Sequence, residues 1–256
     1  MDKRDNQTRT ALVTGAGKRL GRAIALSLAE DGYDVALHYN TSRQETEAVR
    51  GDVEALGRKA ILVEGDLGDP SKAEAIVQQA LTLGGSLSLL INSASYYDSD
   101  TLRTLTMASW QKLINVNLAA QVFMMQAFAQ QPSIPQGASV VNMLDQQITT
   151  PSPQFFSYFT AKIGLEGATR LAAFELAPAI RVNGIAPGLV LPSWGQSQDE
   201  FESRQAMMPL GVGLGADDIV GAIRYFATAS HVTGQVLFTD SGQRLIGIGN
   251  SDLILR

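Results

Sequence analysis

Cysteine is absent from the 256 residues, and histidine occurs only twice, at His38 and His231. The first absence excludes disulfides, thiolate nucleophiles and sulfur-ligated metals. The second, with no acidic cluster at ligand spacing, leaves no catalytic metal to expect. Charged residues are 18% of the chain and sum to -5. That balance argues against a surface for nucleic acid or anionic membrane. No apolar run approaches the ~20 residues that span a bilayer. The polar start, Met1 to Gln7, lacks an apolar signal core. The expected address is the cytoplasm.

What is present is an α/β pattern. Hydrophobic residues make up 45% and glycines number 24, ordinary for a soluble globular chain. Thr10 to Thr14 reads as a buried strand, stopped by Gly15. Gly15-Ala-Gly17-Lys18-Arg19-Leu20-Gly21 then runs into a helical pattern from Arg22 to Glu30. Strand, glycine turn and helix open a dinucleotide-binding unit, in which the backbone approaches a pyrophosphate at the helix N-terminus. A plain βα loop would read the same way, because the spacing is one residue longer than Gly-x-Gly-x-x-Gly.

Val35 to Tyr39, including His38, forms the second strand. An NAD site places an acid at its end for the ribose hydroxyls. Here Tyr39-Asn40-Thr41-Ser42-Arg43 follows instead. Arg19, Ser42 and Arg43 suit a 2′-phosphate, so NADPH is expected over NADH. The alternative is a polar turn capping the helix Arg43 to Leu56.

Strands then alternate with helices. Expected strands are Ala60–Glu64, Leu87–Ile91, Ala138–Met143, Ile180–Ala186 and Gln235–Thr239; expected helices are Ser71–Leu83, Ser109–Gln130, a helix through Tyr158 to Ala177, and Ala216–Ala229. This predicts an α/β, Rossmann-type doubly wound sheet of about seven parallel strands with helices on both faces. One domain is expected over 10–256, after a polar leader at 1–9, with an irregular substrate loop at about 188–208.

Tyr158 and Lys162 are four apart and share a helix face. A Tyr beside a cation is a candidate proton donor. An amphipathic helix with one Tyr and one Lys is the plainer reading. Order and kind of the landmarks together decide between these. From about Ala11 to Gly242 the chain resembles the short-chain dehydrogenase/reductase family. Thr14-Gly15 to Gly21 resembles its cofactor turn, Asp66-Leu67 its adenine contact, and Asn92-Ser93-Ala94 its strand end. Asn117 resembles the Asn that orders a relay water, Tyr158 and Lys162 the catalytic pair, and Pro187-Gly188 the turn before the substrate loop.

Two departures narrow the resemblance. Arg19 replaces the middle glycine of the turn, and Asp145 replaces the catalytic Ser. Both resemble the pteridine reductase branch, which includes dihydromonapterin reductases. That resemblance implies Asp145, Tyr158 and Lys162 as the catalytic set, with Arg19 reaching both cofactor phosphate and pterin. It implies an aromatic stacked on the pterin, Tyr97 or else Tyr96, and Ser95 and Leu189 in the substrate site. It also implies NADP(H), a pterin-like substrate and a homo-oligomer, with a tetramer favoured.

The chemistry agrees. A carboxylate repels the oxyanion of carbonyl reduction, whereas reduction of a C=N bond needs a proton at nitrogen. Asp145 must therefore have a raised pKa or act as a relay with Tyr158; a capping acid in an inactive relative is the alternative. The expected function is an NADPH-dependent reductase of a dihydropterin or dihydrofolate-like ring, with Lys162 holding the ribose and lowering the Tyr158 pKa. Its rivals are a general carbonyl reductase of 3-oxoacyl thioester type and a noncatalytic NADP-sensing protein.

Overall fold

The computed structural model describes residues 9–192 and 195–246. Among these, seven parallel strands form one sheet in the order β3-β2-β1-β4-β5-β6-β7. In chain order they are β1 (Arg9–Val13), β2 (Tyr33–Tyr39), β3 (Ala60–Glu64), β4 (Leu89–Asn92), β5 (Ser139–Met143), β6 (Arg181–Pro187) and β7 (Val236–Thr239). Apolar residues run almost without a break along the central strands because both sheet faces are covered. Alternate side chains sort to opposite faces. Val13, Leu37 and Ile91 pack under α1 (Arg19–Glu30), α2 (Arg43–Ala55) and α8 (Ala216–Thr228). Leu12, Leu90 and Val140 pack under α3 (Ala73–Leu81), α5 (Ala120–Ala129) and α6 (Phe156–Glu175).

The topology fixes where a ligand can bind. From β1 the chain winds outward to β2 and β3, then returns to place β4 on the other side of β1. The connections diverge there and open a crevice at the strand carboxyl ends. Most expected site residues from Gly15 to Gly188 lie on a strand end, or on the turn or helix that follows one; Asn117 lies within the helical segment between β4 and β5.

Three elements differ from expectation. The expected helix Ser109–Gln130 is α4 (Met107–Ile114), a π-helical turn (Asn115–Ala119) and α5. Asn117 lies inside that turn, and π turns within α-helices gather at functional sites. The expected irregular stretch contains α7 (Gln198–Ala206), opened by a reciprocal Ser197–Glu200 capping box. The helix expected from Ser71 begins as a 3-10 turn, Pro70–Lys72, before α3. Residues 1–8 of the expected leader, Ser193 and Trp194 of the substrate loop, and the tail 247–256 lie outside the described residues.

Candidate active site

A cleft of about 1080 Å³ runs along the strand carboxyl ends, from Tyr39 to Tyr158 and Lys162. One end is shaped by the glycine turn. A Cβ on Gly21 would lie 2.1 Å from the Gly15 carbonyl oxygen, so only glycine lets α1 start there. Gly17 faces away from the cleft; a Cβ there would strike Thr46 Oγ1 at 2.3 Å. Arg19, where the family uses its middle glycine, keeps a left-handed backbone at φ 50. This conformation strains a side-chain-bearing residue by roughly 1 kcal/mol. Its guanidinium Nη2 donates to the Pro192 carbonyl at 2.8 Å, joining the cofactor turn to the substrate loop.

Beneath the turn, buried His38 accepts the Gly15 N–H at Nδ1 (3.2 Å), and its Nε2 donates to the Gly65 carbonyl (3.1 Å). Burial lowers its pKa to about 4, which keeps the ring neutral and able to accept. His38 therefore supports the turn as well as lining the cleft. Thr14 Oγ1 accepts both the Ser93 and Ala94 N–H groups at 2.9 Å, tying the ends of β1 and β4.

At the far end no acid follows β2, but carboxylates approach from elsewhere. Lys18 pairs with Glu45 at 2.7 Å, and Arg43 meets Glu64 at 3.6 Å and the Tyr39 hydroxyl at 3.3 Å. These pairs are exposed and so contribute little, which leaves the cations available to a competing dianion. Asp66 Oδ1 accepts from Asn40 (3.0 Å) and from the Gly68 N–H (2.8 Å), closing the wall beside Leu67.

The reacting end is assembled by β4, β5 and α6. Asp145, just past β5, is half-buried and lies behind the cleft wall formed by Met143, Leu144 and Tyr158 rather than lining it. Its Oδ1 accepts the Gln147 N–H at 2.8 Å, and its Oδ2 accepts the Tyr158 hydroxyl at 3.2 Å. Lys162 Nζ donates to the Met143 carbonyl at 2.7 Å and lies 5.6 Å from the centre of the Tyr158 ring. Burial raises the Asp145 pKa, against the Gln147 N–H, the Lys162 charge and the Tyr158 hydroxyl, which all favour the anion. Burial lowers Lys162 to about 8, partly offset by Asp145. Tyr158 moves opposite to expectation. Burial, then the negative potential of Asp145, hold its pKa well above the ordinary phenol value. Lys162 does not lower it in this arrangement, because its ammonium is turned to the Met143 carbonyl.

Tyr97 stacks on Phe155 at 4.6 Å and meets Tyr158 edge-on at 4.8 Å. Tyr96 lies under Lys112, whose Nζ sits 3.8 Å from its ring centre. The Asn117 carboxamide is fully engaged. Its oxygen accepts from Ser95 Oγ (2.7 Å) and the Tyr96 N–H (3.2 Å), and its nitrogen donates to the Tyr96 and Leu113 carbonyls (2.7 and 3.0 Å). A relay water would have to use its backbone. Asn92 is buried away from the cleft, donating to Asn142 Oδ1 at 2.8 Å, and Gly188 packs on Asp240. Leu189 holds α7 through its carbonyl, which accepts Gln205 Nε2 at 2.6 Å. Lys112 and Asn115 line the cleft without having been expected there. Lys112 lies on α4, and Asn115 opens the π turn, which leaves no periodic trace in sequence. Asp100 is another residue the sequence did not single out: its carboxylate accepts the Ser157 N–H (2.9 Å) and hydroxyl, seating the start of α6.

No residue cluster able to hold a metal occurs among the described residues. A model of the short chain dehydrogenase family matches residues 9–203. A crystal structure of FolM alternative dihydrofolate reductase 1 from Brucella canis, complexed with NADP, is 37% identical, with a TM-score of 0.88 over 93% of this chain and 94% of that one. The Brucella suis protein of the same description, also with NADP, is 36% identical, with a TM-score of 0.89 over 96% and 98%. A 3-oxoacyl-[acyl-carrier-protein] reductase, FabG, of Staphylococcus aureus is 29% identical over 92% of this chain and 98% of its own length. With its sheet order, glycine turn and Tyr158–Lys162 pair, the chain belongs to the short chain dehydrogenase family.

Proposed function

We propose that this protein is an NADPH-dependent reductase of a pterin-type C=N bond, in a dihydropterin or dihydrofolate-like ring. The oxidoreductase class and the NADP cofactor follow from the family and from NADP-bound structural relatives. The observation that carries the substrate reading is Asp145, with Oδ2 at 3.2 Å from the Tyr158 hydroxyl. A carboxylate there opposes the oxyanion of a reduced ketone. A carboxyl group of raised pKa beside a phenol instead supplies a proton to a ring nitrogen.

Bound NADPH supplies the hydride from its nicotinamide ring. The glycine turn with Arg19 and the α1 N-terminus would receive the pyrophosphate, and Ser42 and Arg43 the 2′-phosphate. Lys162, fixed by the Met143 carbonyl, holds the ribose. Tyr158 stays protonated at neutral pH, and Asp145 and Tyr158 pass the proton to nitrogen. Ser95, donating to Asn117 Oδ1 and contacting the Tyr158 phenol, joins this network to the π turn. Tyr97 and Arg19 flank the ring.

The FabG similarity favours a second reading, a 3-oxoacyl thioester reductase. Asp145 opposes it, and the complete Tyr158–Lys162 pair opposes a noncatalytic NADP sensor. Exposed Phe123 on α5 and Ile163, Leu171 and Phe174 on α6 suit burial against a second copy, in keeping with a homo-oligomer and the tetramer of the resemblance. No described helix is long and apolar enough to cross a membrane, and a cytoplasmic place remains our reading. Initial rates of NADPH oxidation with dihydrobiopterin, dihydromonapterin, dihydrofolate and an acetoacetyl thioester test the assignment. Turnover of a pterin supports it; turnover of the thioester alone overturns it.

A further inference from the structure

The guanidinium of Arg204 stands apart from the others in the molecule. Its Nε and one Nη are buried and make no hydrogen bond, and the side chain forms no ion pair among the described residues. Arg50, Arg58 and Arg181 also bury an Nε without a hydrogen bond, but each engages a carboxylate or carbonyl through its Nη atoms. Guanidinium donors removed from water require an acceptor. Arg204 has none among the described residues.

Its position indicates where such an acceptor comes from. Arg204 lies in the last turn of α7, the helix of the substrate loop. The adjacent Gln205 pins that turn, donating to the Leu189 carbonyl at 2.6 Å and the Leu214 carbonyl at 2.7 Å. Leu189 directly follows the Pro187-Gly188 turn at the end of β6. Across the site, the Arg204 charge acts on the phenol of Tyr97, and Tyr97 meets the Tyr158 ring at 4.8 Å. Arg204 thus sits on a helix turn fixed to Leu189, in the segment expected to carry the substrate loop, with buried nitrogens unpaired among the described residues. The cations of the site are engaged: Lys162 by the Met143 carbonyl, Arg19 by the Pro192 carbonyl, and Lys112 over the Tyr96 ring.

Resting on the pterin reading above, we propose that Arg204 is a carboxylate-binding residue of the substrate site, selecting an acidic, folate-type pterin over a neutral one. Its planar fork matches a carboxylate through two parallel N–H···O bonds, a geometry a hydroxylated side chain does not reproduce. Arg204 is a recognition residue and takes no part in proton transfer.

The test is calorimetric binding of dihydrofolate and of dihydrobiopterin to the NADP⁺-loaded chain, with R204Q and R204K beside the wild type. The expected result is about a tenfold or greater loss of dihydrofolate affinity in R204Q, the scale of a lost charge-assisted bond. R204K should lose less, and dihydrobiopterin should change less than about twofold in either variant. Equal effects of R204Q on both ligands, or none on dihydrofolate, overturn the proposal while leaving the pterin reading intact. If neither pterin binds, the pterin reading fails, and 4-aminobenzoyl-glutamate then probes Arg204 alone. Binding lost in R204Q upholds the carboxylate site, and no binding to the wild type overturns it.

Discussion

The Asp145 carboxylate is shared between structure and chemistry: Oδ1 caps the turn at Gln147, and Oδ2 accepts the hydroxyl of Tyr158. The capping reading and the proposed catalytic reading are therefore compatible, one on each oxygen. Replacing Asp145 with Ser restores the usual family residue but removes the acid. D145S is expected to lower kcat for dihydropterin by about 100-fold or more, the scale of a lost general acid. The Ser hydroxyl can still cap Gln147, so the thermal transition should stay near that of the wild type. Unchanged pterin turnover would remove Asp145 from the mechanism.

The proposed role of Asp145 also implies a pH dependence. Its folded pKa is raised, so the protonated donor persists to higher pH than for a free carboxyl group. Pterin turnover should fall as pH rises through that raised value, and D145N should lose this limb. A wild-type profile that rises with pH through the same window contradicts the assignment.

His38 predicts an opposite trend in stability. Its folded pKa is depressed to about 4 from an ordinary 6.5. The unfolded chain binds the proton first as pH falls, so stability is lost from about pH 6.5 down to 4. The full effect is about 3 kcal/mol. Urea midpoints across that range should fall less steeply in H38N than in the wild type. Parallel curves would mean that the ring is already protonated in the fold.

Arg19 combines backbone strain with a tie to Pro192. R19G should relieve the strain, leaving stability unchanged or higher by up to about 1 kcal/mol. It should also raise the KM for both NADPH and pterin. Loss of stability with unchanged KM values would show that Arg19 serves the fold alone.

Among the described residues, Arg43 is held by the exposed Glu64 carboxylate and by the Tyr39 hydroxyl. R43A should raise the KM for NADPH about tenfold and leave that for NADH nearly unchanged, because only NADPH carries the 2′-phosphate. Equal changes for both cofactors would place the phosphate elsewhere.

Much of this was legible in sequence because buried parallel strands are near-continuous apolar runs, and the seven expected strands match to within two residues at each end. Tyr158 and Lys162 gained a context from the glycine turn and the succession of strands, and Asp145 was named through the resemblance to the pteridine reductase branch. Other features left weaker traces. α7 has just Phe201 and Gln205 buried, so no apolar period marked it, although Ser197 and Glu200 carried a capping signal. The full engagement of the Asn117 amide and the upward shift at Tyr158 depend on burial and on neighbours distant in sequence. Arg204 had no motif at all; its unpaired nitrogens among the described residues become visible only once α7 is folded and they are buried.

Hydride delivery to the pterin ring is the central claim, and isotope transfer tests it most directly. The full chain is incubated with NADPH deuterated at the transferring C4 position and a dihydropterin, and the product is weighed by mass spectrometry. The account predicts a tetrahydropterin carrying one deuterium on ring carbon. Recovery of unlabelled dihydropterin, with deuterium passed instead to an acetoacetyl thioester in the parallel reaction, would contradict it.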